Sequence, residues 1–240
     1  MHTRTWIGND IVDLGEPGVA GKELDLRFME RVFTPEERRR ILDAAAPTLA
    51  LWRTWSAKET AFKIASKLRE GVIFAHRRFE VGPDRTGDSD GATGLTAGNW
   101  VSVWFEDLEV QVRWETALDY IHCIGRLARR GSDLAPIGLE APRGPRRLLA
   151  GIVSNGQGLG GALTSAERAS VHSTASERAR LLARELMARW DVQGAEIVRM
   201  WRAWRWSPPV IAREGEPLAG FDVSLSHDGR FVAAALVGPA

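Results

Sequence analysis

At 240 residues, with 44% hydrophobic and 26% charged side chains, the chain is long enough for one large domain or two small ones and lies in the ordinary globular range, which excludes a disordered, collagen-like or coiled-coil polymer. Thirty-two Lys and Arg against thirty-one Asp and Glu leave a formal charge of +1, so bulk charge gives no grip on nucleic acid and any anion site must be local. The lone Cys123 cannot form an internal disulfide, the first residues lack a secretory apolar core, and the longest apolar run, Phe231 to Val237, falls far short of the roughly 20 residues that span a bilayer, so a cytoplasmic protein with no membrane or nucleic-acid partner is expected.

Residues Thr5 to Leu14 read as a strand interrupted by Gly8-Asn9-Asp10, and an acid in the middle of an apolar strand asks for a reason. Leu24 to Val32 is a short amphipathic helix. Thr34-Pro35-Glu36-Glu37 supplies an N-cap, a proline at the first helical position and an acidic first turn, so a second helix runs from Pro35 to about Ala45. A third helix carries Leu49 through Leu68. Strand-like segments follow at Arg78 to Val81, Trp100 to Phe105, Glu109 to Trp114 and Tyr120 to Leu127, broken by the polar, glycine-rich loop Gly82 to Gly98.

The stretch 131–161 is rich in glycine, proline and arginine, with Leu148 to Val153 as its one strand-like run, and is taken as a linker between an N-terminal lobe (1–130) and a C-terminal lobe (162–240). Thr164-Ser165-Ala166-Glu167 has capping-box spacing and opens a helix expected to reach about Trp190. Strands are expected at Glu196 to Trp206 and Val210 to Arg213, then a terminal hairpin of Phe221 to Ser226 and Arg230 to Val237 around Asp228-Gly229. The fold class is therefore α+β, two similar lobes each with helices packed on an antiparallel sheet, in which the segments around Tyr120-Ile121-His122 and Ser226-His227 could correspond. Trp201, Trp204 and Trp206 are expected to pack in the interior between the lobes.

Only four lysines occur, Lys22, Lys58, Lys63 and Lys67, and three fall within ten residues. Glu59, Lys63 and Lys67 are four apart on one helical stripe, which by itself reads equally as a solvated face with an i,i+4 ion pair. Asp10 changes the balance, because an ionised carboxylate in an apolar strand is costly unless paired or bound to a metal. Two oxygen ligands from separate elements, completed by water and phosphate, suit Mg²⁺. The plain alternative is that backbone donors satisfy Asp10.

Gly8-Asn9-Asp10-Ile11-Val12-Asp13-Leu14, Arg31-Val32-Phe33-Thr34-Pro35-Glu36-Glu37 and Trp55-Ser56-Ala57-Lys58-Glu59-Thr60-Ala61-Phe62-Lys63, in that order, resemble the 4′-phosphopantetheinyl transferase superfamily, whose signature is a G-x-D strand followed by W-x-x-K-E-x-x-x-K. The resemblance implies a pseudo-dimeric, two-lobed fold, Asp10 and Glu59 as magnesium carboxylates and Lys63 as a phosphate-binding lysine, with Lys58 either its neighbour at the phosphate or a structural ion-pair partner. Val12 departs from two-lobed members, which often carry a third acid there, and matches the small trimeric members that use two carboxylates and water. Thr164 to Trp190, Gly215-Glu216-Pro217 and Ser226-His227-Asp228-Gly229 resemble the helix, G-K-P turn and S-H-S-G hairpin of two-lobed members, but follow the first half instead of preceding it, as in a circular permutation. By this resemblance Ser226 and His227 contact the coenzyme's diphosphate or 3′-phosphate, and Arg168 and Arg180 add charge near the latter. Glu216 stands where the family has lysine.

The activity implied is transfer of 4′-phosphopantetheine from coenzyme A to a serine of an apo acyl or peptidyl carrier protein, Mg²⁺-dependent, with release of 3′,5′-ADP and with Glu59 and Lys63 as catalytic residues. A monomer suffices for a complete site. The alternatives are a non-catalytic module that binds coenzyme A or a carrier protein, and a purely structural α+β protein. Two other motifs read as bland. Ser226-His227-Asp228 are consecutive on a strand and cannot align as a hydrolytic triad, and Gly156-Gln157-Gly158-Leu159-Gly160-Gly161 lacks the acid that completes a dinucleotide fingerprint. His122 and Cys123 read as core residues, since no second Cys/His pair has metal spacing.

Overall fold

In the computed structural model, which describes residues 5–83, 100–130, 146–190, 192–202 and 205–239, the chain opens with β1 (Ile7–Asp13), every residue of which is buried. Three helices follow. In α1 (Leu26–Val32) the Asp25 side chain accepts from the Phe28 amide. In α2 (Pro35–Leu42) Thr34 and Glu37 form a reciprocal capping box with Pro35 in the first turn. The long helix is α3 (Pro47–Leu68). Then β2 (Glu80–Val81), β3 (Val101–Phe105), β4 (Leu108–Thr116) and β5 (Tyr120–Arg130) join β1 in an antiparallel sheet of order β1-β5-β4-β3-β2.

The remaining elements are β6 (Arg146–Ser154), α4 (Ser165–Arg168), α5 (Thr174–Met187), β7 (Ala195–Val198), β8 (Trp201–Arg202), β9 (Arg205–Trp206), β10 (Val210–Arg213), β11 (Glu216–Pro217), β12 (Asp222–Asp228) and β13 (Phe231–Pro239). A second antiparallel sheet has the order β12-β13-β6, and β11-β10-β7 form a smaller one. No helix among the described residues is long and apolar enough to cross a membrane.

The apolar residues sort into layers. Ala57, Ala61, Ile64 and Ala65 of α3 pack on Val103, Val110, Val112 and Cys123 of the first sheet. Ala179, Leu182, Ala183 and Leu186 of α5 pack on Leu149, Val153, Val232 and Leu236 of the second. The two sheets meet through small clusters, Ile7 and Ile124 with Ala235 and Val237, and Ile11 with Phe231 and Ala233. The order is helix, sheet, sheet, helix, so β1 is covered on both faces, which accounts for its continuous burial.

Five expectations are corrected. The stretch 131–161 contains β6, paired along its whole length with β13; Leu149 and Val153 face α5, and Gly151 lets Leu182 close on the strand, so a segment whose composition reads as linker is a core strand, while 131–145 and most of the Gly82 to Gly98 loop lie outside the described residues. The helix expected from Thr164 to Trp190 is two: the Thr164–Glu167 capping box opens α4, and Ser173 caps a fresh start at α5 by accepting from the Ser176 amide. The strand expected over Glu196 to Trp206 ends at Val198 and resumes as the β8–β9 hairpin, closed by the Ser207 amide on the Met200 carbonyl at 2.8 Å. Trp201 and Trp206, 56% and 39% exposed, meet edge-on at 5.3 Å on the surface instead of between lobes; Trp204 lies outside the described residues. Finally β12, an edge strand, answers by position to β1 and not to β5, which lies inside its sheet.

Candidate active site

As the edge of its sheet, β1 has amides and carbonyls at Ile7, Asn9, Ile11 and Asp13 that β5 does not meet, and buried backbone polar groups need partners. Side chains of β12 provide them. Asp222 accepts from the Ile7 amide (2.8 Å), Ser224 from Asn9 (2.9 Å), Ser226 from Ile11 (3.2 Å) and Asp228 from Asp13 (2.8 Å). The period-two geometry of both strands makes this ladder. Carbonyls on the same edge take the lysines of α3: Lys67 Nζ reaches Ile7 O at 2.7 Å and Lys63 Nζ reaches Asn9 O at 2.8 Å.

The stripe Glu59, Lys63, Lys67 of α3 thus lies along β1 and is not a solvated face. Lys63 Nζ also donates to Asp10 Oδ1 (2.9 Å) and Ser226 Oγ (3.1 Å), so its three donors are all engaged. Ser226 Oγ donates in turn to Asp10 Oδ1 at 2.9 Å. These side chains open onto one cavity of about 640 Å³, lined by Asp10, Glu59, Lys63, Ser226 and His227, with Trp52 and Trp55 as its apolar wall and with Glu16 and Asp228 on its border.

Glu59 has no hydrogen bond among the described residues. Burial and then the Asp10 charge push its carboxyl up to about 7, with Lys63 pulling the other way. One counter-charge serves two carboxylates: Asp10 has Lys63, Glu59 has no direct partner among the described residues, and Asp10 Oδ2 carries no hydrogen bond among them. An all-oxygen pair under like-charge repulsion fits a hard divalent cation such as Mg²⁺, which accepts few carboxylates and keeps its waters. No group of three or more His, Cys, Asp or Glu arranged for a metal occurs among the described residues. Loss of water around the His227 ring, then Lys63 and the His172 ring 6.4 Å away, lower the His227 pKa.

Other candidates lie elsewhere. Lys58 is fully buried against Glu37 (2.7 Å) and the His76 carbonyl (3.2 Å), turned away from the cavity stripe of α3. Arg180 is buried at 2% exposure inside the C-terminal lobe, where it holds the hydroxyls of Ser176 (2.6 Å) and Ser170 (3.0 Å); its guanidinium ties α5 to the turn after α4 and does not border the cavity. Arg168, exposed, donates to the Leu163 carbonyl (3.0 Å), and neither it nor Glu216 borders the cavity. His122 and Cys123 are core residues, 1% and 0% exposed. The glycine loop after β6 leads into the four-residue α4 from an antiparallel sheet, the wrong setting for a dinucleotide fold.

Sequence reasoning missed three participants. Asp13, fully buried, accepts from the Arg230 Nε at 2.8 Å and from its amide at 2.8 Å, joining the end of β1 to the β12–β13 turn. Glu37 has a double role, capping α2 and pairing with Lys58. Asp222 takes Lys67 in a buried ion pair at 3.0 Å. The signal for Asp13 and Asp222 was an acid inside or beside an apolar strand, the argument applied to Asp10.

Residues 7–115 match the model of the 4′-phosphopantetheinyl transferase superfamily, a stretch that contains Asp10, Glu59 and Lys63 and stops before Ser226 and His227. No curated protein matches the chain. Among solved structures it is similar to holo-[acyl-carrier-protein] synthase from Neisseria meningitidis (18% identity, TM-score 0.36, 51% of this chain and 96% of that one). It is similar also to acyl carrier protein synthase from Mycobacterium tuberculosis (23% identity, TM-score 0.33, 52% and 96%) and to an ACPS–CoA complex from Chronobacterium ammoniagenes (23% identity, TM-score 0.35, 52% and 98%).

Proposed function

Taking residues 7–115 as a segment of the 4′-phosphopantetheinyl transferase superfamily, we propose that the protein transfers 4′-phosphopantetheine from coenzyme A to a serine of an apo acyl or peptidyl carrier protein, in the cytoplasm, with release of 3′,5′-ADP. The observation that carries this reading is that Asp10 of β1 and Glu59 of α3 border one cavity together with Lys63 and, from the other half of the chain, His227.

Asp10 and Glu59 are the residues that would hold Mg²⁺, which when bound neutralises charge on the diphosphate and on the departing nucleotide. The carrier serine oxygen forms a bond to the phosphorus on the pantetheine side, the bond from that phosphorus to the bridging oxygen breaks, and the electron pair leaves with 3′,5′-ADP. Glu59 accepts the serine proton, directly or through one water. Lys63 turns one donor from Ser226, its longest contact at 3.1 Å, to a phosphoryl oxygen while keeping Asp10 and Asn9. His227, exposed at the cavity edge, donates to a phosphate of the coenzyme. Trp52 and Trp55 exclude water from one wall.

The test is incubation with coenzyme A, Mg²⁺ and a panel of apo carriers, followed by mass spectrometry of the carriers and assay of 3′,5′-ADP. The expected result is one carrier that gains phosphopantetheine, and a Glu59→Ala variant with an unchanged melting temperature that adds none. Coenzyme A binding without Mg²⁺ dependence and without nucleotide release would instead establish a non-catalytic binding module. Normal turnover by Glu59→Ala would refute the assignment of that residue.

A further inference from the structure

The Ser226 hydroxyl has one proton and two lone pairs. The proton goes to Asp10 Oδ1 at 2.9 Å, and the lone pairs take the Ile11 amide at 3.2 Å and Lys63 at 3.1 Å. The residue is 6% exposed. A hydroxyl whose proton is held by a carboxylate cannot donate to a phosphate oxygen while that bond stands. From this geometry we propose that Ser226 is a positioning residue for Asp10 and not a contact for the coenzyme's phosphates: it fixes the carboxylate through Oδ1 so that Oδ2 remains for the divalent cation. The inference rests on the reading that Asp10 and Glu59 hold that cation.

The consequence joins the two halves. Both cation carboxylates belong to the first half, yet the side chain that orients one of them comes from β12, so the site is incomplete without the C-terminal hairpin. The ladder also contains its own control. Ser224, two residues earlier, is the same residue type, is buried too and accepts the neighbouring β1 amide, that of Asn9, at 2.9 Å, but makes no hydrogen bond to Asp10 among the described residues. Any purely structural effect of losing a rung appears at both positions; an effect on the cation appears at Ser226 alone.

The experiment measures Mn²⁺ affinity of the full chain by electron paramagnetic resonance, and coenzyme A affinity in EDTA by calorimetry, for wild type, Ser226→Ala, Ser224→Ala and Asp10→Asn. Removing a group that orients a metal ligand weakens metal binding by about tenfold or more. Ser226→Ala is therefore expected to weaken Mn²⁺ binding about tenfold and to leave coenzyme A affinity in EDTA unchanged, while Ser224→Ala leaves both unchanged. Where Ser226→Ala does not fold, Ser226→Cys keeps the volume and a weak donor, and a smaller loss of Mn²⁺ affinity is expected. Unchanged Mn²⁺ affinity in Ser226→Ala, an equal loss in Ser224→Ala, or a loss of coenzyme A affinity in EDTA overturns the inference. Asp10→Asn separates the two levels. If it loses Mn²⁺ while Ser226→Ala does not, this inference alone falls; if it binds Mn²⁺ as wild type does, the underlying cation reading falls and takes this one with it.

Discussion

Three lysines within ten residues of α3 have three different occupations, and the helical repeat explains the difference. Lys63 and Lys67, four apart, both reach the edge of β1, whereas Lys58 precedes the stripe by one residue, which turns it about 100° away into the core beside Glu37. Its Nζ is held by a carboxylate and two carbonyls, and burial lowers its pKa. Removing one partner of such a pair leaves an uncompensated buried charge, at a cost of about 3–5 kcal/mol. Lys58→Ala is therefore expected to lose about that much in urea denaturation, and the folded fraction is expected to keep the wild-type coenzyme A affinity. Asp13 gives a pH signature. Hydrogen bonds from the Arg230 side chain, ahead of the opposing effect of burial, bring its carboxyl from 3.8 down to about 2. A folded-state pKa below the unfolded one stabilises the protein above the unfolded value and loses that contribution as pH falls through the folded value. The stability gap between wild type and Asp13→Asn should hold constant above about pH 4 and narrow toward pH 2, as urea midpoints at several pH values would report.

At the scale of elements, the glycine of G-x-D has a packing reason. Gly8 of β1 and Gly125 of β5 stand opposite each other in the sheet, and Thr60 of α3 sits over the pair: a Cβ on Gly8 would run into the Thr60 carbonyl oxygen, and one on Gly125 would come within 2.6 Å of the Thr60 methyl. The helix lies close enough there for Lys63 to reach Asp10. Gly8→Ala must push α3 off the sheet, because the obstructing atom is backbone, at a cost of about 1–3 kcal/mol. The variant is expected to be less stable by that amount in calorimetry and to lose transfer activity, since the displacement separates Glu59 and Lys63 from Asp10. Helix starts were readable from local chemistry: Thr34 caps α2 ahead of Pro35 as expected, and the Thr164–Glu167 capping box forms as its spacing required. The break between α4 and α5 was not, because it depends on Ser170 turning inward to a buried arginine ten residues on.

For the whole molecule, the junction of the halves is the working part. Besides the β12 ladder it holds the buried Lys67–Asp222 pair and the Asp13–Arg230 pair, and both lock the hairpin onto β1. The order of segments is incidental to this packing. Ile7 near the start and Val237 near the end belong to one apolar cluster, so a permuted chain that joins 239 to 5 through a short linker and opens between 130 and 146 keeps every contact named here. It is expected to fold with a similar melting temperature and to modify the same carrier in the mass assay; a chain that folds but has lost activity would mean that the order of the halves itself shapes the site.

Local chemistry was enough to read the amphipathic helices, their N-caps, the terminal hairpin and the oddity of Asp10, because each depends on residues a few positions apart or on a charge in an apolar run. Around β6 the strand-like run Leu148 to Val153 was legible, but its arginine-, glycine- and proline-rich setting pointed to a linker where the structure has a core strand; size misled at Trp201 and Trp206, where it suggested an interior that the β8–β9 hairpin does not reach. Only the tertiary structure decided what β1's free edge meets. The rungs of the ladder lie 215 residues from the amides they satisfy, and a hydroxyl carries no mark in sequence of whether its proton will face a ligand or a neighbouring carboxylate. That choice is made by which strand the folded chain sets beside it.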